Sequence, residues 1–222
     1  MQLDCIELTE EVKPRRAYRS ARRQQTAADT RNAILESAQA AFLRDGWTRT
    51  TIASIAREAA VAPETIYAVF GNKRVLIQEL VVRAVRGAFP DVPLLQQAVP
   101  RAVGAASDRS TQLALFAGDI VAVLERVAPL VAVVREAARA EPELEGFYRE
   151  LHAGRRRNLA FLAEALASRG PLRGGMDAKE ATDIIWRLAS PEQFTLSRQV
   201  EGLSADDYRR WLESSLERLL LD

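Results

Sequence analysis

Apolar residues recur every three or four positions along most of this chain, which is the spacing of amphipathic helices. From Asp29 onward, one stripe of the helical pattern is apolar and another is charged. The apolar stripe comprises Ile34, Ala38, Ala41 and Phe42, and Arg31, Glu36 and Arg44 lie off it. Gly46 suits the C-terminal cap of a helix. The pattern therefore predicts a first helix that ends at Gly46.

Two shorter helices are predicted next. Either Thr50 or Thr51 suits the N-cap of the second helix, which lasts about ten residues. Pro63 suits the first position of the third helix, because its missing N–H costs nothing there. Two short helices joined by a turn of three or four residues form a helix-turn-helix. The buried faces are expected to comprise Ile52, Ile55, Ala56, Ala59, Ile66 and Phe70.

A fourth helix and a change of domain are expected after this motif. Gly71 closes the third helix, and Asn72 can cap a fourth one that reaches about Ala88. Prolines at positions 90, 93 and 100 then interrupt the chain. We therefore expect a flexible basic arm over residues 1–26, a helix-turn-helix domain with a linking helix over 27–88, and a helical domain over 89–222.

The remainder of the chain is also predicted to be helical. No run of alternating β-branched residues indicates a strand, so the expected fold class is all-α, with three N-terminal helices in a helix-turn-helix domain and a larger C-terminal helical domain. The helices predicted in the C-terminal domain are Thr111–Val127, Pro129–Ala140, Glu143–Arg169, Asp177–Ser190 and Ala205–Leu221.

The charge of the chain is concentrated near its beginning. The net charge of the 222 residues is only +1, but thirteen basic and six acidic residues between Lys13 and Arg83 give that segment +7. The rest of the chain must then carry −6. A basic segment joined to an acidic remainder is typical of a nucleic-acid-binding module attached to another domain, although a solvated basic surface would give the same count.

Composition excludes several other classes of protein. The single cysteine cannot form an internal disulfide, and one cysteine with one histidine leaves little for a metal site. The sequence has no nucleophile elbow, no phosphate-binding glycine loop and no recognisable carboxylate pair. We therefore expect no enzyme, no metal and no cofactor. No apolar stretch approaches transmembrane length and no signal peptide opens the chain, so a cytoplasmic protein without a membrane partner is expected.

Three stretches of the helix-turn-helix region carry a specific resemblance. They are Gly46 to Ile52 (GWTRTTI), Ile55 to Ala62 (IAREAAVA) and Thr65 to Lys73 (TIYAVFGNK). This region resembles the DNA-binding domain of the TetR family of transcriptional regulators over residues 28 to about 88. Two departures are Ala60, where the family's turn usually has Gly, and Ala62, where the recognition helix usually has a Ser or Thr cap.

The same region supplies the expected DNA contacts. Hydroxyls at the start of the second helix, the Tyr67 hydroxyl and the Lys73 ammonium are expected to bind phosphates. Glu64 and Thr65 are expected to read bases from the third helix, although Glu64 equally suits a solvated residue that stabilises the helix N-terminus. The complete set of expected DNA-binding residues is Arg49, Thr50, Thr51, Pro63, Glu64, Thr65, Tyr67, Ala68 and Lys73.

Five further arginines precede the motif, and two roles stay open for them. One role is contact with a neighbouring minor groove of the DNA. The other is a flexible tail that adds only salt-dependent, sequence-independent affinity for DNA. These residues are Arg15, Arg16, Arg19, Arg22 and Arg23.

The resemblance implies a homodimer and an effector pocket in the C-terminal domain. The apolar stripes of the two C-terminal helices are expected to form the dimer; they are Ala181, Ile184, Ile185 and Leu188, and Tyr208, Trp211, Leu212, Leu216 and Leu219. The candidate ligand-binding residues are Phe116, Phe147, Tyr148, His152, Phe161 and Trp186. Each of these also suits the core or the surface. Arg155 is a second possible polar anchor, but the run 155–157 is interpreted as a solvated patch.

The function expected from these features is a dimeric DNA-binding regulator, most simply a repressor released from a palindromic operator by a small molecule. The apolar segment 113–134 favours a hydrophobic effector. A two-fold dimer predicts half-sites about 34–36 Å apart or a multiple of that spacing. The alternative is an effector-independent, architectural DNA-binding protein, which shares the N-terminal chemistry and lacks the ligand response.

Overall fold

A computed structural model describes residues 15–89 and 91–222, with the surroundings of side chains described from residue 25 onward. The described residues form α-helices joined by short turns and contain no strand, which confirms the all-α fold. The α-helices are α1 (Arg15–Arg49), α2 (Ile52–Glu58), α3 (Pro63–Phe70), α4 (Lys73–Arg86), α5 (Ala98–Ala105), α6 (Arg109–Ala137), α7 (Pro142–Ala167), α8 (Ala178–Leu188), α9 (Pro191–Gln199) and α10 (Ala205–Leu220).

The first helix begins earlier than its hydrophobic stripe. The backbone is helical from Arg15, within the segment 1–26 that the sequence analysis assigned to a flexible arm. Residues 1–14, and the side chains of the five arginines in the predicted arm, lie outside what the structure describes. Gly46 interrupts the helical path at φ +72° and ψ −176°, which agrees with its predicted role as the end of the first amphipathic segment.

Local capping interactions define the helix-turn-helix. Thr51, not Thr50, caps α2, and Asn72 caps α4 by accepting a hydrogen bond from the amide of Val75. Pro63 occupies the first turn of α3, while Ala62 provides no side-chain cap. Ala60 takes a left-handed conformation with φ +54°, at the position where the resemblance predicts glycine.

The central helix of the molecule is α6, and the sequence prediction of a break at Pro129 is wrong. This helix packs against α1, α4, α5, α7, α9 and α10. The Pro129 ring lies on its exposed face, whereas the neighbouring Ala128 and Leu130 are buried. Packing on both sides of the proline thus outweighs the lost backbone hydrogen bond. The sequence analysis also missed α5 and α9.

One hydrophobic cluster connects the predicted domains. It extends from Ile34 and Phe42 of α1 through Leu124 of α6 to Leu216 of α10, and all four side chains are buried. The N-terminal helices are therefore held by packing as well as by the chain connection at residue 89. No helix within the described residues is both long and apolar enough to cross a membrane.

Candidate nucleic-acid interface

Helix α3 has one buried face and one open face. Ile66 and Phe70 are buried against the other N-terminal helices. On the opposite side Glu64, Ala68 and Tyr67 are exposed, and the Tyr67 side chain is 55% accessible. The short helix therefore presents an unobstructed surface to solvent, as a recognition helix must before it enters a major groove.

The predicted contacts on α3 differ in their accessibility. Pro63 is exposed like Glu64 and Ala68, whereas Thr65 is only half-exposed. Val69, which was not among the predicted contacts, is 39% exposed and extends the open face with an apolar side chain. The surface thus offers few hydrogen-bonding groups, and most of its area can make van der Waals contact with base edges.

The two threonines before α2 have different roles, and Thr50 is corrected as a DNA contact. Its side chain is 1% exposed, and its hydroxyl donates to the carbonyls of Ala41 and Gly46 at 3.1 and 2.7 Å. A buried hydroxyl with both of these partners is not available to a phosphate. Thr51 is exposed and forms a reciprocal capping box with Ser54 at 3.0 and 3.1 Å.

The Lys73 ammonium is directed into the domain. It donates to the carbonyls of Trp47 and Thr50 at 2.8 and 2.9 Å and lies 4.0 Å from the Trp47 ring centroid. Burial lowers the pKa of Lys73 below its usual value, and the negative charge of Glu141 offsets only part of this effect. Two of its three N–H donors are thus occupied internally, so its predicted phosphate contact depends on the third.

Arg49 lies beside this cluster at the end of α1. Its Nε donates to the carbonyl of Asp45 at 3.1 Å, and the residue is exposed. Exposure near α2 and α3 leaves its positive charge accessible to a polyanion, as predicted for a phosphate contact.

Contacts from the turn between α6 and α7 hold the N-terminal helices. The Trp47 indole N–H donates to Glu141 at 2.7 Å, and Trp47 also stacks on Phe42 with centroids 5.6 Å apart. Arg74 lies 3.9 Å from the Glu141 carboxylate. On the other side, Arg126 of α6 donates to the carbonyl of Ala84 in α4 at 2.9 Å. These polar contacts therefore join the two parts of the chain in addition to the shared hydrophobic cluster.

The structure brings together only half of the predicted ligand-binding residues. Tyr148, His152 and Trp186 line a cleft of about 700 Å³ between α7, α8 and the start of α9. Phe116 and Phe161 instead form an edge-to-face pair with centroids 6.3 Å apart, and Phe116 is fully buried. Phe147 packs against the core. These three phenylalanines do not line the cleft.

The cleft is more polar than the sequence analysis expected. Its lining includes Arg149, Arg155, Arg156 and Arg187, with Asp183 and Glu192 as its carboxylates. The sequence analysis missed Glu192 because it belongs to α9, a helix that the pattern did not predict. The arginines of α7 were visible as a run, but nothing in the run shows that Arg155 turns inward.

Glu192 organises the inner side of the cleft. The Tyr148 hydroxyl donates to its carboxylate at 2.7 Å, and His152 Nε2 lies 3.3 Å from the same oxygen. Burial alone would raise the pKa of Glu192, but His152 and Tyr148 outweigh burial and bring the pKa to about 2. Burial and the Glu192 charge together raise the pKa of Tyr148 to about 12.

The apolar stripes predicted for dimerisation are divided between the core and the surface. Ala181 and Ile185 are buried within the chain, as are Tyr208, Leu212 and Leu216. Ile184, Leu188 and Trp211 are only half-buried, and Leu219 is 44% exposed. The sequence pattern therefore did not distinguish the residues that are buried within the chain from those that remain partly exposed.

Comparisons with known proteins agree with this geometry. The family model for bacterial regulatory proteins of the tetR family matches residues 34–80. The transcriptional regulator TtgR of Pseudomonas putida is 44% identical over 59 residues, which is 27% of this chain and 28% of that protein. The chain thus matches less than a third of the length of this relative.

Two solved structures share the fold over most of the chain. A transcriptional regulator of Saccharomonospora viridis, in complex with choline, has a TM-score of 0.66 at 19% identity and covers 88% of this chain and 99% of its own. The repressor NalD of Pseudomonas aeruginosa has a TM-score of 0.64 at 22% identity, with 89% and 98% covered. Residues 34–80 therefore form a domain of the type found in bacterial regulatory proteins of the tetR family.

Proposed function

We propose that this protein is a DNA-binding transcriptional regulator whose α3 enters the major groove. We further propose that it acts as a homodimeric repressor, released from a palindromic operator when a small molecule occupies the α7–α8 cleft. The observation that carries DNA binding is the open face of α3, where Glu64, Tyr67 and Ala68 are exposed opposite the buried Ile66 and Phe70.

The surroundings of α3 support contact with a polyanion. The segment from Lys13 to Arg83 carries a net charge of +7. Arg49 is exposed beside the α2 N-terminus, and the Tyr67 hydroxyl is exposed on α3 itself. Phosphate contacts from such groups fix the position of a recognition helix without reading sequence.

Helix α7 connects the cleft with the N-terminal helices. Its N-cap is Glu141, which accepts a hydrogen bond from Trp47, and its next turns carry Tyr148 and His152 in the cleft. A ligand that shifts α7 therefore also shifts the attachment of the DNA-binding part. The energetic requirement is a difference in ligand affinity between the two arrangements.

Dimerisation is supported by the partly open faces of α8 and α10. Trp211 and Ile184 are half-buried in the single chain, and Leu219 is exposed at 44%. A second copy packed on these residues would bury apolar area that the monomer leaves accessible. A two-fold axis there would present two α3 helices to an inverted repeat.

The first test is selection of bound sequences from random duplex DNA with the full chain at near-physiological salt. An inverted repeat is expected. The recovered duplex then serves for affinity measurements by fluorescence anisotropy across a series of salt concentrations. Recovery of no motif, with binding that disappears as salt rises, would contradict sequence recognition and favour the architectural alternative.

Matched variants assign the roles of the α3 residues. Tyr67→Phe is expected to weaken binding by about fivefold on every sequence, because it removes one phosphate hydrogen bond. Glu64→Gln is expected to change the preferred base at one position in each half-site. Arg101→Gln, which removes an exposed charge from α5, serves as the control. Equal effects of all three variants would contradict a specific role for α3.

A further inference from the structure

The α7–α8 cleft contains an arginine, Arg155, that forms no ion pair with any carboxylate of the described residues. Within the described residues, Arg155 donates one hydrogen bond, from Nη1 to the carbonyl of Ala189 at 3.2 Å. Among the described side chains, none accepts from its Nε, and no carboxylate lies within 4.0 Å of its guanidinium. Burial lowers the pKa of Arg155 to about 10, which reflects the cost of keeping this cation partly out of water.

The carboxylates of the cleft are already engaged. Glu192 accepts from the Tyr148 hydroxyl at 2.7 Å and lies 3.3 Å from His152 Nε2. Asp183 forms an ion pair with Arg156. The two acidic residues in the lining therefore do not provide a free partner for Arg155, and an incoming group meets a site with excess positive charge.

The walls around Arg155 are aromatic. Its guanidinium carbon lies 5.0 Å from the Trp186 ring centroid. The rings of Tyr148 and His152 meet edge to face at 4.5 Å, and His152 meets Trp186 in the same way at 6.1 Å. Both ring nitrogens of His152 are buried and also lack a hydrogen-bond partner in the described part of the chain. The cleft thus combines flat apolar surface with a planar cation.

From this geometry we infer that the cleft binds an aromatic carboxylate, with the carboxylate on the Arg155 guanidinium and the ring against Trp186 and Tyr148. A guanidinium fork matches a carboxylate in two parallel hydrogen bonds, which a neutral group cannot reproduce. The volume of about 700 Å³ lies within the range of small-molecule sites. Use of the site to control DNA binding rests on the proposed function.

The charge of the site opposes a cationic ligand. Cation binding between aromatic rings needs a free ring face, and Arg155 already lies over Trp186. Four arginines against two carboxylates in the lining add further repulsion. This assignment also replaces the expectation of a purely hydrophobic effector, and it moves Arg155 from the solvated patch into the ligand site.

The test compares three probes by isothermal titration calorimetry on the full chain: 1-naphthoate, its uncharged counterpart 1-naphthamide, and choline. The carboxylate is expected to bind about tenfold more tightly than the amide, because only the carboxylate pairs with Arg155. Choline is expected not to compete. Equal affinity for carboxylate and amide, or preferential binding of choline, would overturn the assignment.

Substitutions at Arg155 test whether this residue causes the preference for 1-naphthoate over 1-naphthamide. Arg155→Gln is expected to abolish the difference between 1-naphthoate and 1-naphthamide, and Arg101→Gln on the exposed surface of α5 is expected to retain it. Arg155→Lys keeps the charge without the fork, so the preference is expected to fall by about threefold or more. If Arg155→Gln does not fold, the Arg155→Lys variant alone tests whether Arg155 sets the preference for the carboxylate. A preference that survives both changes in folded protein would overturn the role of Arg155.

A DNA measurement without any ligand separates this inference from the proposed function. The ligand preference is read by calorimetry and does not require DNA binding. Protein that selects 1-naphthoate through Arg155 but binds no DNA sequence would support the site and contradict the regulator. Protein that binds an inverted repeat and shows no carboxylate preference would support the regulator and overturn the site.

Discussion

Lys73 at the start of α4 and Arg155 in the α7–α8 cleft each lie over a tryptophan ring, at 4.0 and 5.0 Å from the ring centroid. Lys73 also donates to two carbonyls at 2.8 and 2.9 Å. Arg155 donates to one carbonyl at 3.2 Å, and its Nε is left without a partner in the described structure. A cation over an indole ring therefore has different surroundings in the two regions. The Lys73 ammonium uses its hydrogen bonds within the protein, whereas the Arg155 guanidinium keeps an N–H group that is not used.

The completeness of hydrogen bonding separates these two roles. A partly buried cation that has all its strong partners inside the protein stabilises the fold and offers little to a ligand. A partly buried cation without a counter-ion costs stability until a ligand supplies the missing charge. The N-terminal helices are therefore expected to depend on Lys73 and Trp47, and the cleft is expected to tolerate the loss of Arg155.

The largest expected difference concerns the tryptophans. Trp47→Ala is expected to lower the free energy of unfolding by about 3–5 kcal/mol, because the ring is 4% exposed and stacks on Phe42. Trp186 is half-buried, so Trp186→Ala is expected to cost less than half as much. Urea unfolding at fixed protein concentration measures both. Equal losses would contradict the distinction, and Trp47→Phe provides an intermediate control.

Replacing each cation by methionine is expected to give effects of different size. Lys73→Met leaves the carbonyls of two buried residues, Trp47 and Thr50, without their donor and should cost about 1–3 kcal/mol. Arg155→Met removes a partly buried charge that forms no ion pair with a described carboxylate, so the free energy of unfolding is expected to stay constant or rise. The same urea experiment applies. A loss in Arg155→Met as large as in Lys73→Met would show that Arg155 is structural.

Acidification is expected to lower the free energy of unfolding through protonation of Glu192. The folded-state pKa of about 2 lies below the ordinary 4.5, so the ionised carboxylate is favoured by folding. Its contribution is fully present above about pH 4.5 and is lost as the pH falls towards 2. Unfolding curves of wild type and Glu192→Gln should therefore converge over this window. Wild type and Glu64→Gln, the exposed control, should not converge in this way.

The smallest expected effect lies in the turn between α2 and α3. Ala60 has φ +54°, where an L side chain is strained, so Ala60→Gly is expected to stabilise the protein by up to about 1 kcal/mol. Ala59 has an ordinary φ of −78°, and Ala59→Gly should stabilise nothing. Thermal unfolding of the two variants makes the comparison. Destabilisation by both would show that the turn is not strained at Ala60.

The local signals of the N-terminal helices were sufficient to predict their order and caps. Thr51, Pro63 and Asn72 act at helix starts through hydrogen bonds or a fixed φ that involve only neighbouring residues. The predicted helix break at Pro129 was wrong because the effect of this proline is not local. Its effect depends on what packs around the helix, and the buried residues on either side keep α6 continuous.

The cleft was only partly predictable. Tyr148, His152 and Trp186 were identified as aromatic candidates, but Phe116 and Phe161 looked the same in sequence and belong to the core. A hydrophobic pattern does not distinguish a side chain that lines a cavity from one that fills the core. Glu192 was missed because its contribution depends on α9 packing near α7.

By itself, the sequence determined most of the helices, the helix-turn-helix and the basic character of the region that contains it, because periodicity, caps and charge are local properties of the chain. The tertiary structure decided that Thr50 is buried, that the Lys73 ammonium turns inward and that Arg155 Nε finds no hydrogen-bond partner among the described residues. These outcomes depend on which distant groups meet a side chain. Exposure, hydrogen-bond partners and charge balance are set by packing between helices, and no local pattern contains them.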